Sequence, residues 1–368
     1  MKKILALLLT ATMVLGLAAC GGNSQEEEVS QETNAETEAE AETASEPEES
    51  AESTEEANEG AQAETGLLER PEGYPSKAIE WIVPTAAGAA MDLPTRVLAE
   101  LVDLGDAIAV VNQAGGTGTI GAQAGFEAEP DGTTLLTMGN GGVMIMPTLQ
   151  ELPYSADDFR HLSMIAPADP MTIAVKADSP YQTYEELEEA LKAGEALTYS
   201  GGNPNGASDM AGNLWLQTIG VEGLTNVPYT GSAEAIAALL GGHVDFLVVD
   251  NSVVTARVED GTMRVLALMG SERLPSMQDV PTLKELGVDT EYYGWKWLMV
   301  RKDVPEDIAE YIKQQVDLAI ASDEYQEYMM QNFGAPVELV TEEEMTEIVH
   351  DNIETNKMLV ETLGLTAG

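Results

Sequence analysis

The sequence predicts an α/β protein with two domains on one chain. Its 368 residues are enough for two domains of ordinary size. From Leu67 onward, apolar runs of strand length alternate with amphipathic stretches of helical period, and several runs end in glycine, serine or asparagine. Repeated strand–helix units of this kind favour predominantly parallel sheets with helices on both faces.

The N-terminus has the pattern of a secretion signal. Lys2 and Lys3 precede an apolar run, and small residues lead to Cys20 in "LAAC". Residues 4–19 would span about 24 Å as a helix, which is short against a hydrocarbon core of roughly 30 Å. We predict a signal peptide of residues 1–19, with an uncleaved anchor as the alternative. The pattern resembles that of bacterial lipoproteins, which implies lipid attachment at Cys20 and anchoring by at least two acyl chains.

An acidic segment follows the cysteine. Residues 21–66 contain 16 glutamates, no lysine or arginine, and almost nothing apolar beyond alanine. Such a segment cannot bury enough apolar surface to offset the entropy of ordering. We predict that residues 20–66 form a disordered linker between the lipid and the folded part, and a partly helical stalk is the alternative.

Strands and helices then alternate along the chain. The predicted strands are "AIEWIVP", "AIAVVNQ", "TTLLTMG", "MTIAVK", "ALTYSG", "DFLVVD" and "MRVLALMG". The predicted helices between them are "PTRVLAELVDLG", "TYEELEEALKAG", "SDMAGNLWLQTIG" and "AEAIAALLGG". The C-terminal third holds longer helices, "VPEDIAEYIKQQVDLAIASDEYQEYMMQNFG" and a last one that opens on a capping box at Thr341.

The charge and the scarcity of metal-binding residues exclude several functions. The formal net charge of −47 repels phosphate backbones, so we predict no nucleic-acid partner. One cysteine cannot form an internal disulfide, and the three histidines, His161, His243 and His350, are scattered. We predict packing or solvent roles for these histidines, no metal and no cofactor.

The stretch "PTAAGAAMD" is the first candidate binding loop. It joins a predicted strand to a predicted helix, and its small side chains leave backbone N–H groups free to face a bound anion at a helix start. Residue chemistry alone leaves open a simple tight turn in which Asp92 favours the first helical turn.

A rival glycine motif predicts a different chemistry. Gly116, Gly118 and Gly121 have the spacing of a dinucleotide-binding turn, but the next predicted strand ends in "MGNG", without the acid that would bind a ribose. The chain also lacks a G-x-S-x-G elbow, and with 64 acidic residues carboxylate pairs arise by chance. The sequence therefore does not favour an enzyme.

From about Tyr74 to the C-terminus the chain resembles the substrate-binding proteins of tripartite tricarboxylate transporters, the TctC or Bug family. The resemblance rests on several motifs in order, namely "YPSKAIEWIVPTAAGAAMD", "VVNQAGGTGTIGA", "EPDGTTLL", "YSGGNPNGASDMAG", "VPYTGSAEAIAALLGGHVDF", "MRVLALMGSERLPSMQDVPTLKELGV" and "YYGWKWLMVRKDVP".

The resemblance implies a bilobal periplasmic-binding-protein-like (type II) fold of two α/β domains with a hinge. Lobe 1 would contain residues 67–173 and 294–368, and lobe 2 residues 174–293. The implied function is a monomeric extracytoplasmic receptor, not an enzyme, that captures a small carboxylate and delivers it to membrane permease subunits. Its implied location is the extracytoplasmic face of the membrane, held there by the lipid. A ligand-gated sensory protein and an α/β enzyme remain the alternatives.

The resemblance also implies the residues of the cleft, which come from the first strand–helix loop, a glycine loop and three segments of the second lobe. They are Thr85, Ala86, Ala87, Gly88, Ala89, Ala90, Met91, Asp92, Gly139, Asn140, Gly141, Ser200, Gly201, Asn203, Asn205, Gly206, Ser208, Tyr229, Thr230 and Asp250.

Two positions depart from the family pattern. Ala89 and Met91 stand where the family has glycine and a small hydroxyl residue, which predicts a ligand less polar than a tricarboxylate. Trp295 and Trp297 are predicted to pack in the core, with a place near the hinge or cleft as the alternative.

Overall fold

A computed structural model describes residues 66–365. Cys20, the predicted signal peptide and the acidic linker up to residue 65 lie outside these residues. The strands are, in chain order, β1 (Ile79–Val83), β2 (Ile108–Asn112), β3 (Thr134–Gly139), β4 (Phe159–Met164), β5 (Asp169–Lys176), β6 (Thr198–Ser200), β7 (Thr225–Asn226), β8 (Phe246–Asp250), β9 (Met263–Leu268), β10 (Tyr293–Gly294) and β11 (Lys296–Arg301).

Helices connect and cover these strands. They are α1 (Asp92–Leu101), α2 (Thr119–Glu127), α3 (Met146–Leu149), α4 (Tyr184–Lys192), α5 (Ala207–Thr218), α6 (Ser232–Leu240), α7 (Asn251–Glu259), α8 (Glu306–Ile320), α9 (Asp323–Phe333) and α10 (Glu342–Leu363). None of the helices within residues 66–365 has both the length and the hydropathy that a membrane span requires.

The strands form two sheets, which we call with their helices the first and second lobes. The first sheet has the order β2-β1-β3-β11-β4, and the second has the order β10-β5-β8-β6-β7 with β9 also paired to β5. All seven predicted strands are present. The short strands β7 and β10, together with β4 and β11, were not predicted.

The expectation of predominantly parallel sheets is wrong. Strands β1, β2 and β3 are parallel, but β11 runs antiparallel to both β3 and β4. In the second lobe β5 is antiparallel to β8 and β9. The reason is topological: β5 and β11 are the strands that enter each sheet from the other lobe, so they do not belong to a local strand–helix–strand unit.

The chain changes sheet twice. It leaves the first sheet after Met164 and enters the second at Asp169, and it returns between Gly294 and Lys296. The predicted boundary at residue 173 therefore falls inside β5. The last helix is a further connection, because Met345 and Val349 pack in a first-lobe core cluster whereas Leu359 packs in the second-lobe core.

Local capping determines where the C-terminal helices begin. The predicted capping box of α10 is present, since the Thr341 hydroxyl accepts from the Glu344 N–H and the Glu344 carboxylate accepts from the Thr341 N–H. The single long run predicted before it is two helices. Ser322 interrupts that run because its hydroxyl accepts the N–H of Tyr325 and so begins α9.

His161 has a packing role in the first-lobe core. It is 2% exposed; its Nε2–H donates to the Ala156 carbonyl at 3.1 Å, and its Nδ1 accepts the indole N–H of Trp297 at 3.0 Å. Burial lowers the pKa of His161 to about 4, so the ring is neutral at pH 7.

Candidate functional site

A cleft of about 1290 Å³ lies between the two lobes. Its walls come from the ends of β1, β2 and β3 on one side, at residues 84–91, 114–118 and 138–142. The ends of β6, β7 and β8 supply the other side, within residues 201–208, 228–234 and 250–253. Ligand sites of open α/β sheets form at such carboxyl ends.

The loop after β1 is shaped by the carboxylate of Asp92. Its Oδ2 accepts the backbone N–H of Gly88 at 2.7 Å and Nε of Arg96 at 2.9 Å, and its Oδ1 accepts the side-chain amide of Asn112 at 2.7 Å. Burial raises the pKa of Asp92, but these hydrogen bonds outweigh burial and hold the pKa below its ordinary value. Asp92 is therefore a charged brace inside the loop.

Some backbone N–H groups of this loop donate hydrogen bonds within the turn, and others have no acceptor there. Gly88 donates to Asp92, and Ala89 donates to the Ala86 carbonyl at 3.2 Å. Five loop N–H groups have no hydrogen-bond acceptor among the described residues, namely those of Thr85, Ala86, Ala87, Ala90 and Met91. The Thr85 hydroxyl is also buried without a partner in this part of the chain.

The second lobe repeats this device after β6. The Asp209 carboxylate, on a residue 7% exposed, accepts the backbone N–H of Asn205 at 2.9 Å and the side-chain amide of Asn226. Burial raises the pKa of Asp209, although its hydrogen bonds act in the opposite direction. In both lobes an acid in the first helical turn binds the amide four residues before it, and an asparagine at the end of a neighbouring strand braces the acid.

An ion cluster joins the lobes at the cleft. Lys296 of β11 is 3% exposed, and its Nζ lies 3.1 Å from Oδ2 of Asp169 and 3.6 Å from Oδ1 of Asp250. Burial lowers the pKa of Lys296, but the two carboxylates together raise the pKa above its ordinary value. Burial, together with Asp169, raises the pKa of Asp250 despite the opposing effect of Lys296.

Most predicted site residues line this cleft. They are Thr85, Ala86, Ala87, Gly88, Ala89, Ala90, Met91, Gly139, Asn140, Gly141, Gly201, Asn203, Gly206, Ser208, Tyr229, Thr230 and Asp250.

Three predicted residues do not line it. Asp92 is buried beneath its own loop, where its carboxylate accepts the three hydrogen bonds described above. Ser200 is fully buried, and its hydroxyl accepts the N–H of Gly202 at 3.0 Å. Asn205 has a left-handed φ of +56° and gives its backbone N–H to Asp209. All three residues fix the conformation of the cleft loops without lining the cleft themselves.

Several lining residues were not predicted from the sequence. Lys296 is one of them, and the end of α9 adds Tyr328, Asn332 and Phe333. A lysine inside the apolar run "GWKWL" was a detectable sign of a buried ion pair, whereas the α9 residues carry no such mark. Trp295 packs against a first-lobe core cluster and also lines the cleft, so it has both of the predicted roles, whereas Trp297 is fully buried as predicted.

The glycine motif has a packing explanation. Gly116 and Gly118 have φ of +55° and +96°, and both line the cleft. A Cβ on Gly121 would lie 2.9 Å from Cβ of Pro84, so this glycine lets α2 approach the first loop. No group of three or more His, Cys, Asp or Glu side chains suited to a metal occurs within residues 66–365.

The comparisons with known proteins agree with this architecture. The sequence model of the tripartite tricarboxylate transporter family receptor, TctC, matches residues 95–365. The chain belongs to this receptor family. A UPF0065 protein of Bordetella bronchiseptica is 30% identical over 272 residues, which cover 71% of this chain and 78% of that protein.

Solved structures confirm the fold of this TctC-family chain. The periplasmic binding protein BugD is 28% identical, with a TM-score of 0.71 over 80% of this chain and 99% of that one. Malate-bound MatC of Rhodopseudomonas palustris is 24% identical and shares the fold, with a TM-score of 0.70 over 78% of this chain and 100% of that one. The predicted two-domain α/β class is therefore confirmed.

Proposed function

We propose that this chain is an extracytoplasmic solute-binding receptor. It captures a small carboxylate between its lobes and delivers it to the permease of a tripartite tricarboxylate transporter. Family membership supports the receptor role, and the chemistry of the cleft supports a carboxylate ligand.

The observation that carries the proposal is the way helices begin at the cleft. Helices α1, α5, α6 and α7 all start there, and none has a side-chain hydrogen bond from its N-cap residue. Helices α4, α9 and α10, whose first residues do not line the cleft, start with side-chain caps from Thr183, Ser322 and Thr341. Helix α8, which also begins away from the cleft, has Pro305 as its N-cap residue and no side-chain cap. The positive ends of four helix dipoles therefore face one space, which suits an anion. At the start of α7 the Ser252 N–H is already accepted by Asp169, so the free N–H groups come from the other helix starts.

Backbone amides explain how an acidic protein can hold an acidic ligand. Long-range repulsion from the surface is opposed locally by oriented N–H groups, which need no arginine. The unpartnered N–H groups of the first loop and the Thr85 hydroxyl supply donors from one side. Ordered waters can bridge the remaining distance to a carboxylate at little cost in affinity. We propose the cleft-lining residues named above as the binding set.

Lobe closure completes the site. We place the lobe boundaries between Met164 and Asp169 and at Trp295, where the chain passes from one sheet to the other. A ligand that touches loops of both lobes is held only when they approach, as in other hinged receptors. We propose a binding role without catalysis, in a monomer.

We also propose that the receptor is tethered outside the cell membrane. The signal pattern and Cys20 support lipid attachment, and the acidic linker would hold the folded part roughly 35 to 40 Å from the membrane by random-coil scaling. This arrangement lets the loaded receptor reach a permease in the same membrane.

A thermal-shift screen against acetate, malate, succinate and citrate tests the carboxylate function, with glucose and phosphate as controls. A ligand at 100 times its dissociation constant stabilises the folded state by about 2.7 kcal/mol. We expect a concentration-dependent rise in melting temperature with at least one carboxylate and none with the controls. Equal curves for all compounds, confirmed by calorimetry, would overturn the proposal.

A further inference from the structure

The ion cluster of Lys296, Asp169 and Asp250 is the part of the cleft that backbone amides do not explain. It combines one ammonium with two carboxylates, so its formal charge is −1. Among the described residues that line the cleft, Lys296 is the only cationic side chain. Both its ion pairs are made within the cluster.

The two carboxylates of the cluster have different surroundings. The Asp169 side chain is fully buried and accepts from Lys296, from the Ser252 N–H at 3.2 Å and from the Ser252 hydroxyl. The Asp250 side chain is 19% exposed and lines the cleft, and Lys296 is 3.6 Å away. Asp250 is the N-cap residue of α7, yet its side chain caps no helix N–H. Its carboxylate is therefore the one with accepting capacity left.

The cluster adjoins the amide-lined loop. A Cβ placed on Gly139 would lie 3.1 Å from both the Met91 sulfur and the Trp295 carbonyl oxygen. The first loop thus meets the segment that carries Lys296. A ligand that spans from the loop amides to the cluster would bring a second carboxylate to a net negative charge, where Lys296 is already paired with Asp169 and Asp250.

We infer that the ligand carries a single carboxylate, held by the loop amides, and presents a hydroxyl or ammonium donor to Asp250 at its other end. This inference rests on the proposed carboxylate-binding function. It makes Asp250 the residue that discriminates against dicarboxylates, because a donor satisfies its carboxylate and a second anion is repelled by it.

A matched ligand series tests the inference by calorimetry on the whole protein at pH 7.5. Succinate, 4-aminobutyrate, 4-hydroxybutyrate and butyrate share a four-carbon chain and differ only at one end. Adipate, 6-aminohexanoate, 6-hydroxyhexanoate and hexanoate repeat the comparison at six carbons. We expect a donor-ended compound to bind at least about tenfold more tightly than the dicarboxylate and the unsubstituted acid of its length, which corresponds to about 1.4 kcal/mol of binding free energy.

Two variants locate the effect. Asp250→Asn removes the charge and keeps Lys296 paired with Asp169, and it should reduce the preference for the donor end over succinate or adipate by about tenfold. Asp260→Asn removes the same charge at the opposite end of α7 and should leave the preference unchanged.

The possible outcomes separate the two proposals. Dicarboxylates that bind as tightly as the donor-ended acids, with a ratio unchanged in Asp250→Asn, would overturn this inference and leave the receptor function intact. If no mono-, di- or tricarboxylate binds the wild-type protein, the proposed function itself fails.

Discussion

The carboxylate of Asp209 accepts a hydrogen bond of 2.9 Å from the backbone N–H of Asn205, four residues before it. Asp92 and Gly88 make the same bond in the other lobe at 2.7 Å. Each acid therefore uses one amide of its loop and fixes the direction of the neighbouring amides. The two walls of the cleft are built by one local device.

Removing a brace should disturb both stability and binding. We expect Asp92→Ala to lower the free energy of unfolding by about 1–2 kcal/mol, because it removes the buried carboxylate that accepts from Gly88, Arg96 and Asn112. It should also weaken carboxylate binding. Urea denaturation and calorimetry measure the two effects, and Asp106→Ala, at an exposed acid that accepts only the next N–H, is the control. Equal unfolding energies for the two variants would contradict the role of the brace.

Gly88 is required by backbone conformation and not by lack of space. Its φ is +80°, and a Cβ there would meet no atom within 4 Å. We expect Gly88→Val to abolish carboxylate binding and to cost about 1–3 kcal/mol, since a β-branched residue is strained at this φ. Gly88→Asn tolerates the left-handed region and should retain most stability, as measured by thermal unfolding. Similar losses of stability in Gly88→Val and Gly88→Asn would mean that side-chain bulk, and not the backbone φ, is decisive.

Lys296 should be essential to the stability of the interlobe contact. We expect Lys296→Met to destabilise the fold by about 3–5 kcal/mol, because Asp169 and Asp250 would face each other without their counter-charge. Adding Asp169→Asn should recover part of this loss, which a double-mutant cycle in urea detects. Additive losses would show that the lysine acts independently of Asp169.

Acid should weaken the fold through His161. Its pKa is about 4 in the folded protein, against an ordinary value of 6.5 that we take for the unfolded chain. Between these two pH values the unfolded chain binds a proton that the folded chain does not. Stability therefore falls as pH drops from about 6.5 toward 4, by about 2 kcal/mol at pH 5 from this residue. Urea denaturation at pH 7.5 and pH 5 should show a loss that is smaller by this amount in His161→Gln, with the exposed His350→Gln as control. A wild-type-like loss in His161→Gln would refute the assignment.

Lipid attachment should depend on Cys20 alone. We expect Cys20→Ser to abolish incorporation of a labelled fatty acid, because no other thiol is present in the sequence. Ser24→Ala, a nearby change that keeps the cysteine, should be labelled like the wild type. Fatty-acid label on Cys20→Ser would show that the lipid is attached at another residue.

Local patterns predicted most elements of the fold. The strand–loop–helix unit around "PTAAGAAMD" was predictable because a β-branched run, a proline and a helical period follow each other within a few residues. The C-terminal capping box was predictable for the same reason. Strand β11 was missed although "KWLMVR" is apolar, and β4 was missed because "FRHLSM" has mixed polarity and becomes buried only between its neighbours in the fold.

The sequence by itself determined the α/β class, the places where strands give way to helices, and the small side chains that leave loop amides accessible, because these depend on neighbouring residues. Only the tertiary structure decided which carboxylates face the cleft. Asp92 and Asp250 both stand at strand-to-helix junctions, but one is buried under its loop and the other is open beside Lys296. Lys296 meets Asp169 across 127 positions of chain, and such a pairing depends on how two sheets dock, which no local pattern encodes.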